Sequence, residues 1–163
     1  HKSDVGAVVL DVVDEDGVRE GCAKIRRNVD KHVPGARVQG FVVAEQVGGT
    51  EIIVGVSRDP QFGPLLMVGM GGIFVEVYKD VAFRPIPLSR ADALDQIREI
   101  KAQPLLDGAR GRPVLDRHEL AELMLRISDL VEAVPDIEEL DVNPLVITPR
   151  GLVAIDARVI PKA

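Results

Sequence analysis

The chain is 163 residues long with a formal charge of −6, and its residues are 46% hydrophobic and 28% charged. That length is one domain's worth, and that apolar content calls for a packed core and excludes a disordered chain. The negative balance argues against general affinity for nucleic acid. No apolar run is long enough to cross a bilayer. One cysteine, Cys22, cannot close an internal disulfide, which suits a reducing, cytoplasmic setting and a small packing role.

Aromatic residues are 3% of the chain and Trp is absent, so the core is built from Val, Ile, Leu and Ala, as in sheets covered by helices. Val5–Val13 is apolar and β-branched and reads as a buried strand. In Asp14–Val33 the residues Val18, Cys22, Ile25, Val29 and Val33 fall near one helical face, and Pro34-Gly35 closes the helix. Ala36–Val47 and Glu51–Val56 read as strands, and Asp59–Pro64 is dense in turn formers. Leu65–Val68 is a strand. A flexible Gly69–Gly72 loop follows, then strands Ile73–Tyr78 and Val81–Ile86.

Ser89 opens a helix with Asp92 at capping-box spacing. Gly108–Pro113 is a loop, and Asp116 with Glu119 marks a second capped start. That helix runs through Leu120, Leu123, Met124, Ile127, Leu130 and Val131 to Pro135. Leu140–Ile147 and Leu152–Val159 form a last strand pair. His32 and His118 fall near helix ends and read as surface residues. The mixed order, with several hairpins, predicts an α+β fold (α/β in the wider sense) over a doubly wound parallel sheet. It is read as a single domain, 1–163. The chain opens on His1, directly before an apolar run, so the expectation is a domain truncated at its N-terminus.

The last hairpin carries the sharpest local argument. Thr148-Pro149-Arg150-Gly151 has the chemistry of a turn. With Thr148 opposite Gly151, counting outward sets Ile147 against Leu152, Leu145 against Ala154, Asn143 against Asp156, and Asp141 against Arg158. Asp141, Asn143, Leu145 and Ile147 then share one face, and Pro144 and Val146 the other. A one-residue slip would set Asn143 against Ala157 and Asp156 against Pro144, which is poorer chemistry. Opposed side chains have Cβ atoms about 4.5–5.5 Å apart. The amide oxygen of Asn143 and the carboxylate of Asp156 can therefore converge on one hard cation such as Mg²⁺, which takes few protein ligands and completes its shell with water and phosphate. Spacing alone equally accommodates a polar pair at a sheet end, with Asp141–Arg158 an ordinary cross-strand ion pair.

Several segments, in order over nearly the whole chain, resemble the nucleotide-binding subunit or domain of ADP-forming acetyl-CoA synthetases, relatives of succinyl-CoA synthetase within the ATP-grasp fold. They are His1-Lys2-Ser3-Asp4-Val5-Gly6, Glu45-Gln46-Val47 with Gly49-Thr50-Glu51, Arg58–Pro64, Gly69–Glu76 and Glu139–Leu145. The resemblance implies the C-terminal part of an ATP-grasp fold, with largely antiparallel sheets flanked by helices. It assigns Mg²⁺ to Asn143 and Asp156, and places Asp141 beside a phosphorylated histidine. His1 matches a phosphorylatable histidine. Glu45 and Val47 fall in the hinge that meets adenine, Glu51 near the ribose, and Gly71, Gly72 and Arg84 among the nucleotide contacts.

It further implies ATP or ADP with Mg²⁺ as cofactors and an oligomeric assembly. The CoA-binding ligase domain or alpha subunit would be a partner, separate or fused upstream. The activity implied interconverts acyl-CoA, ADP and phosphate with the acid, CoA and ATP, by way of phosphohistidine. Without its preceding segment and partner this fragment is expected to be inactive. The alternative is a ligand-sensing regulatory domain of a protein-lysine acetyltransferase. The retained His1, Asp141, Asn143 and Asp156 favour the enzyme.

Overall fold

The computed structural model describes residues 5–72 and 79–162. His1 and the expected strand Ile73–Tyr78 lie outside the described residues. The chain divides into two compact units, His1–Gln46 and Val47–Ala163.

In the first unit a single helix, α1 (Glu15–His32), fulfils the spacing read from the sequence. Asp14 caps it by accepting from the Gly17 amide at 2.7 Å, and Gly35 follows its end at φ +83°. Gly21 faces Val9, whose side chain would lie 3.6 Å from a Cβ placed there. The expected strands Val5–Val13 and Ala36–Val47 are not formed: residues 7–13 and 36–48 carry no regular structure. A β-branched run supplies an extended preference, but a strand exists only where a neighbour completes its hydrogen-bond ladder. The link between the two segments is made by side chains instead, with Gln46 bonded to the amide and carboxylate of Asp11. Leu10, Val13, Val42 and Val43 are exposed.

The second unit is an antiparallel sheet with helices on one face. Its strands are β1 (Thr50–Asp59), β2 (Gly63–Met70), β3 (Val81–Pro85), β4 (Ile137–Thr148), β5 (Gly151–Ala154) and β6 (Ala157–Pro161). The order is β3-β2-β1-β4-β5, with β6 also paired to β4. Asp59 closes the β1–β2 turn by accepting from the amides of Gln61 and Phe62.

Helix α2 (Arg90–Arg98) starts at the Ser89–Asp92 capping box, with both reciprocal bonds present. A single turn, α3 (Gln103–Leu106), follows. Helix α4 (Arg117–Ala133) is capped by Asp116, which accepts from His118 and Glu119. Ile52, Val54 and Val56 of β1 and Leu66, Val68 and Met70 of β2 join Ala93 and Ile97 of α2 and Leu120, Met124 and Val131 of α4 in one core. Buried Gln96 ties two strands to α2, donating to the carbonyls of Leu66 and Ala82 at 2.9 and 2.8 Å.

One irregularity decides which residues reach the open face. Against β1, Ile52 pairs with Leu145 but Val54 pairs with Val142, so Asn143 and Pro144 together oppose Ile53 in a β-bulge. Pro144 has no N–H for the ladder, and a proline in a central strand belongs at such a bulge. The extra residue reverses the alternation. Leu140, Val142, Leu145 and Ile147 all enter the helix-covered core, which corrects the expectation that Leu145 and Ile147 share a face with Asp141 and Asn143. The expected strand Leu152–Val159 is likewise interrupted at 155–156, into β5 and β6.

The core gives a direct prediction. Met124 is fully buried among α2, α4 and the sheet, so Met124→Ala should cost about 2–5 kcal/mol. Chemical denaturation measures it, and Leu130→Ala, on an exposed position of the same helix, should cost much less.

Candidate functional site

Asp141, Asn143 and Asp156 come together on the sheet face away from the helices. β4 pairs Leu145 with Ala154 and Thr148 with Gly151. The Asn143 amide donates to the Asp156 carbonyl at 3.1 Å, and Ile155 donates to the Pro144 carbonyl at 3.0 Å. The register thus continues through the gap between β5 and β6, where Val142 then pairs with Ala157 and Asp141 with Arg158. This is the pairing read from polar and apolar matching in the sequence.

The Asn143 side chain lies beside the Asp141 carboxylate and favours its charged form. The oxygen of its side-chain amide is an acceptor and can serve as a ligand to a hard cation. Burial pushes the Asp141 carboxyl above its ordinary pKa. The Asn143 amide opposes that rise, the negative charge of Asp156 adds to it, Arg158 opposes it, and Glu139 adds a little more. Three carboxylates therefore crowd one small area, an arrangement that a divalent cation would relieve.

Among the described residues no group of three or more His, Cys, Asp or Glu side chains could hold a metal ion. The available donors are instead one amide oxygen and one carboxylate. That set fits Mg²⁺ whose remaining positions are filled by water and phosphate oxygens.

Gly55 completes this site and was not anticipated. It pairs with Asp141 across β1 and β4. A Cβ there would lie 3.3 Å from the Leu140 carbonyl and 3.6 Å from Oδ1 of Asp141. The signal in the sequence was a lone glycine inside the β-branched run Ile52-Ile53-Val54-Gly55-Val56, a mark of close approach. Ile53, Gly55, Met67, Asp141, Asn143 and Arg158 line a cavity of about 360 Å³ on this face.

A second group gathers farther along β1. The Gly71 amide donates to the Glu51 carbonyl at 2.8 Å, and a Cβ on Gly71 would come within 2.8 Å of the Glu51 Cβ. The glycine is needed for that approach. Gly72 adopts φ +60°, its Cβ position 3.4 Å from Oε2 of Glu51. Glu51 lies four residues from Gly55 on the same side of β1, a span of about 13 Å.

Arg84 stands apart from both groups. Arg84 lies on the helix-covered side of β3, where its guanidinium bonds Glu99 through both terminal nitrogens. That bond, outweighing the cost of burial, raises the Arg84 pKa and lowers that of Glu99. The structure does not bring Arg84 to Asp141 and Asn143. Glu45 is exposed in the first unit and Val47 begins the second, so the division falls inside the stretch read as a hinge. His1 lies outside the described residues.

Residues 1–160 match the family described as an ATP-grasp domain. The chain is 42% identical to the beta subunit of acetate–CoA ligase [ADP-forming] I of Pyrococcus furiosus, over 98% of this chain and 69% of that one. It is 44% identical to acetate–CoA ligase [ADP-forming] I of Archaeoglobus fulgidus, over 98% of this chain but only 23% of that protein. A solved structure of Ca. Korarchaeum cryptofilum dinucleotide-forming acetyl-coenzyme A synthetase 1, with coenzyme A and Mg-AMPPCP, superposes with a TM-score of 0.80. The two are 40% identical, over 99% of this chain and 71% of the other. In that protein a phosphohistidine segment points towards the nucleotide-binding site.

The electrostatics predict a trade between stability and function. Because the folded pKa of Asp141 is raised, the native state holds this proton more tightly than the unfolded chain, and stability falls as pH rises through that window. Asp141→Asn should therefore melt at or above the native temperature at pH 7, with the difference closing below the ordinary aspartate pKa of about 3.9. Thermal unfolding at both pH values is the check.

Proposed function

This chain belongs to the ATP-grasp domain family, and from that premise we propose that it is the nucleotide-binding component of an ADP-forming acid–CoA ligase. The observation that carries the reading is the meeting of the Asn143 amide oxygen, the Asp156 carboxylate and Asp141 on one open sheet face. Glu51, Gly71 and Gly72 stand farther along the same strand. Both units, 1–46 and 47–163, belong to one domain in this reading. The ligase relatives, with the retained Asp141, Asn143 and Asp156, favour it over a regulatory domain of an acetyltransferase.

ATP or ADP lies along the face with its ribose toward Glu51 and its phosphates toward Asn143 and Asp156. Those two residues hold Mg²⁺, which neutralises charge on the transferring phosphoryl group. Asp141 accepts from the ring N–H of a histidine that carries the phosphoryl group. It fixes the tautomer and steadies the cationic ring, so that the imidazole departs neutral. The 1–4 segment, with His1, is one source of that imidazole. The CoA-binding domain or alpha subunit, which delivers the acyl group, is the other part of the enzyme. Most of the rate comes from positioning and fixed charge rather than from covalent chemistry by this chain.

No described helix is long and apolar enough to cross a membrane, and the reading places the enzyme in the cytoplasm.

Asn143→Ala and Asp156→Ala, each in the complete enzyme with its partner, should lower histidine phosphorylation by Mg-ATP at least about 100-fold. Both residues are exposed, so the fold should persist, as circular dichroism would verify. Phosphorylation at the native level in either variant would reject the metal assignment.

A further inference from the structure

Arg158 stands in this site without an assigned role. It pairs with Asp141 across β4 and β6, and it lies two residues after Asp156, which precedes β6. It lines the cavity that holds Gly55, Asp141 and Asn143, and it is the only Lys or Arg among the described residues that do so. In the second unit Arg110, Arg112 and Arg126 make no ion pair with a described residue, while Arg58, Arg84, Arg90, Arg98 and Arg117 each pair with a carboxylate. Arg158 does not: among the described residues its guanidinium has no hydrogen bond or ion pair, although an aspartate stands directly opposite. It acts on Asp141 through space, as a charge that favours the ionised carboxylate.

Four residues thus form a square. Asn143 and Asp156 make one rung, and Asp141 and Arg158 the next. One rung carries the cation ligands and the other an acid beside an unengaged fork of N–H donors. A simple cross-strand ion pair, worth at most about 1 kcal/mol at such an exposed place, is not what the side chains have formed. A guanidinium that stands beside carboxylates without engaging them keeps a fork of donors that matches the oxygens of a phosphoryl group.

We propose that Arg158 grips the phosphoryl group in transit between the nucleotide and an imidazole, donating its terminal N–H groups to the non-bridging oxygens. The inference rests on the ligase reading above. In the direction of ATP synthesis the P–N bond breaks and its electron pair stays on the ring nitrogen. The ring leaves neutral because its other nitrogen keeps the proton that Asp141 accepts as a hydrogen bond. The P–O bond forms to a terminal oxygen of ADP. Arg158 exchanges no proton, being charged throughout. As the P–N bond lengthens, charge spreads over the three equatorial oxygens, where a fork binds more strongly than in the ground state.

The test uses the complete enzyme. Arg158→Gln should lower kcat about 100-fold, while the Kd for Mg-ADP by calorimetry stays within about threefold, because ADP lacks the group in transit. Arg158→Lys should restore no more than about a tenth of native kcat, since a point charge cannot supply the fork. An Arg158→Gln enzyme with native kcat would overturn the proposal. So would an Arg158→Lys enzyme equal to the native one, or a loss confined to Mg-ADP affinity. If Arg158→Gln does not fold, Arg158→Lys decides on the same threshold. Native enzyme that bound no Mg-ADP would overturn the ligase reading itself, and this inference with it.

Discussion

A single extra residue in β4 governs the arrangement. Without the bulge at Asn143–Pro144, strict alternation would place Leu145 and Ile147 beside Asp141 and Asn143. Either the apolar pair would face solvent or the polar pair would enter the core. With it, Val142 and Leu145 both pack toward the helices while Asp141 and Asn143 stay on the open face. The strand is held on both edges, by β1 on one side and by β5 and β6 on the other. A residue that cannot donate a backbone hydrogen bond is therefore tolerated only where the ladder is already broken. The core and the site are thus set by one backbone feature.

The electrostatics around that feature are poorly compensated in the protein alone. Asp141 is half-buried, with Asp156 and Glu139 as like-charged neighbours, and Arg158 offsets them only through space. Such an arrangement costs stability and makes sense where a ligand brings the missing charge. Several other charged groups in the unit are matched. Arg84 is matched to Glu99 and Arg117 to Asp107, and buried Asp80 accepts from the amides of Lys101 and Ala102. The contrast sets these matched charges apart from the crowded carboxylates around Asp141.

Much of this was legible in the sequence, for local reasons. The helix starts at Ser89 and Asp116 rest on short-range capping chemistry, and the first helix on the spacing of its apolar residues. The β4–β5–β6 register rests on matching Asn143 with Asp156 and Leu145 with Ala154, which a one-residue slip would spoil. The bulge was harder, because Pro144 announces a broken ladder but not the side to which the following residues turn. The strands expected over 5–13 and 36–47 failed because β-propensity says nothing about whether a partner strand is present. Arg84 read as a phosphate ligand from the family likeness, and nothing in its neighbourhood in sequence revealed Glu99 fifteen residues on. Gly55 carried a signal that was passed over, a glycine where a β-branched residue would otherwise pack.

The central claim is that Asn143 and Asp156 share a divalent ion only when a nucleotide's phosphates complete its shell. Paramagnetic broadening tests it most directly, with Mn²⁺ in place of Mg²⁺ and the methyl groups of Val142 and Ala157 as reporters beside the two ligands. The account predicts strong broadening of both methyl signals with Mn²⁺ and ADP together, and little with Mn²⁺ alone. Broadening centred on another part of the second unit, with these two signals left sharp in the nucleotide complex, would contradict it.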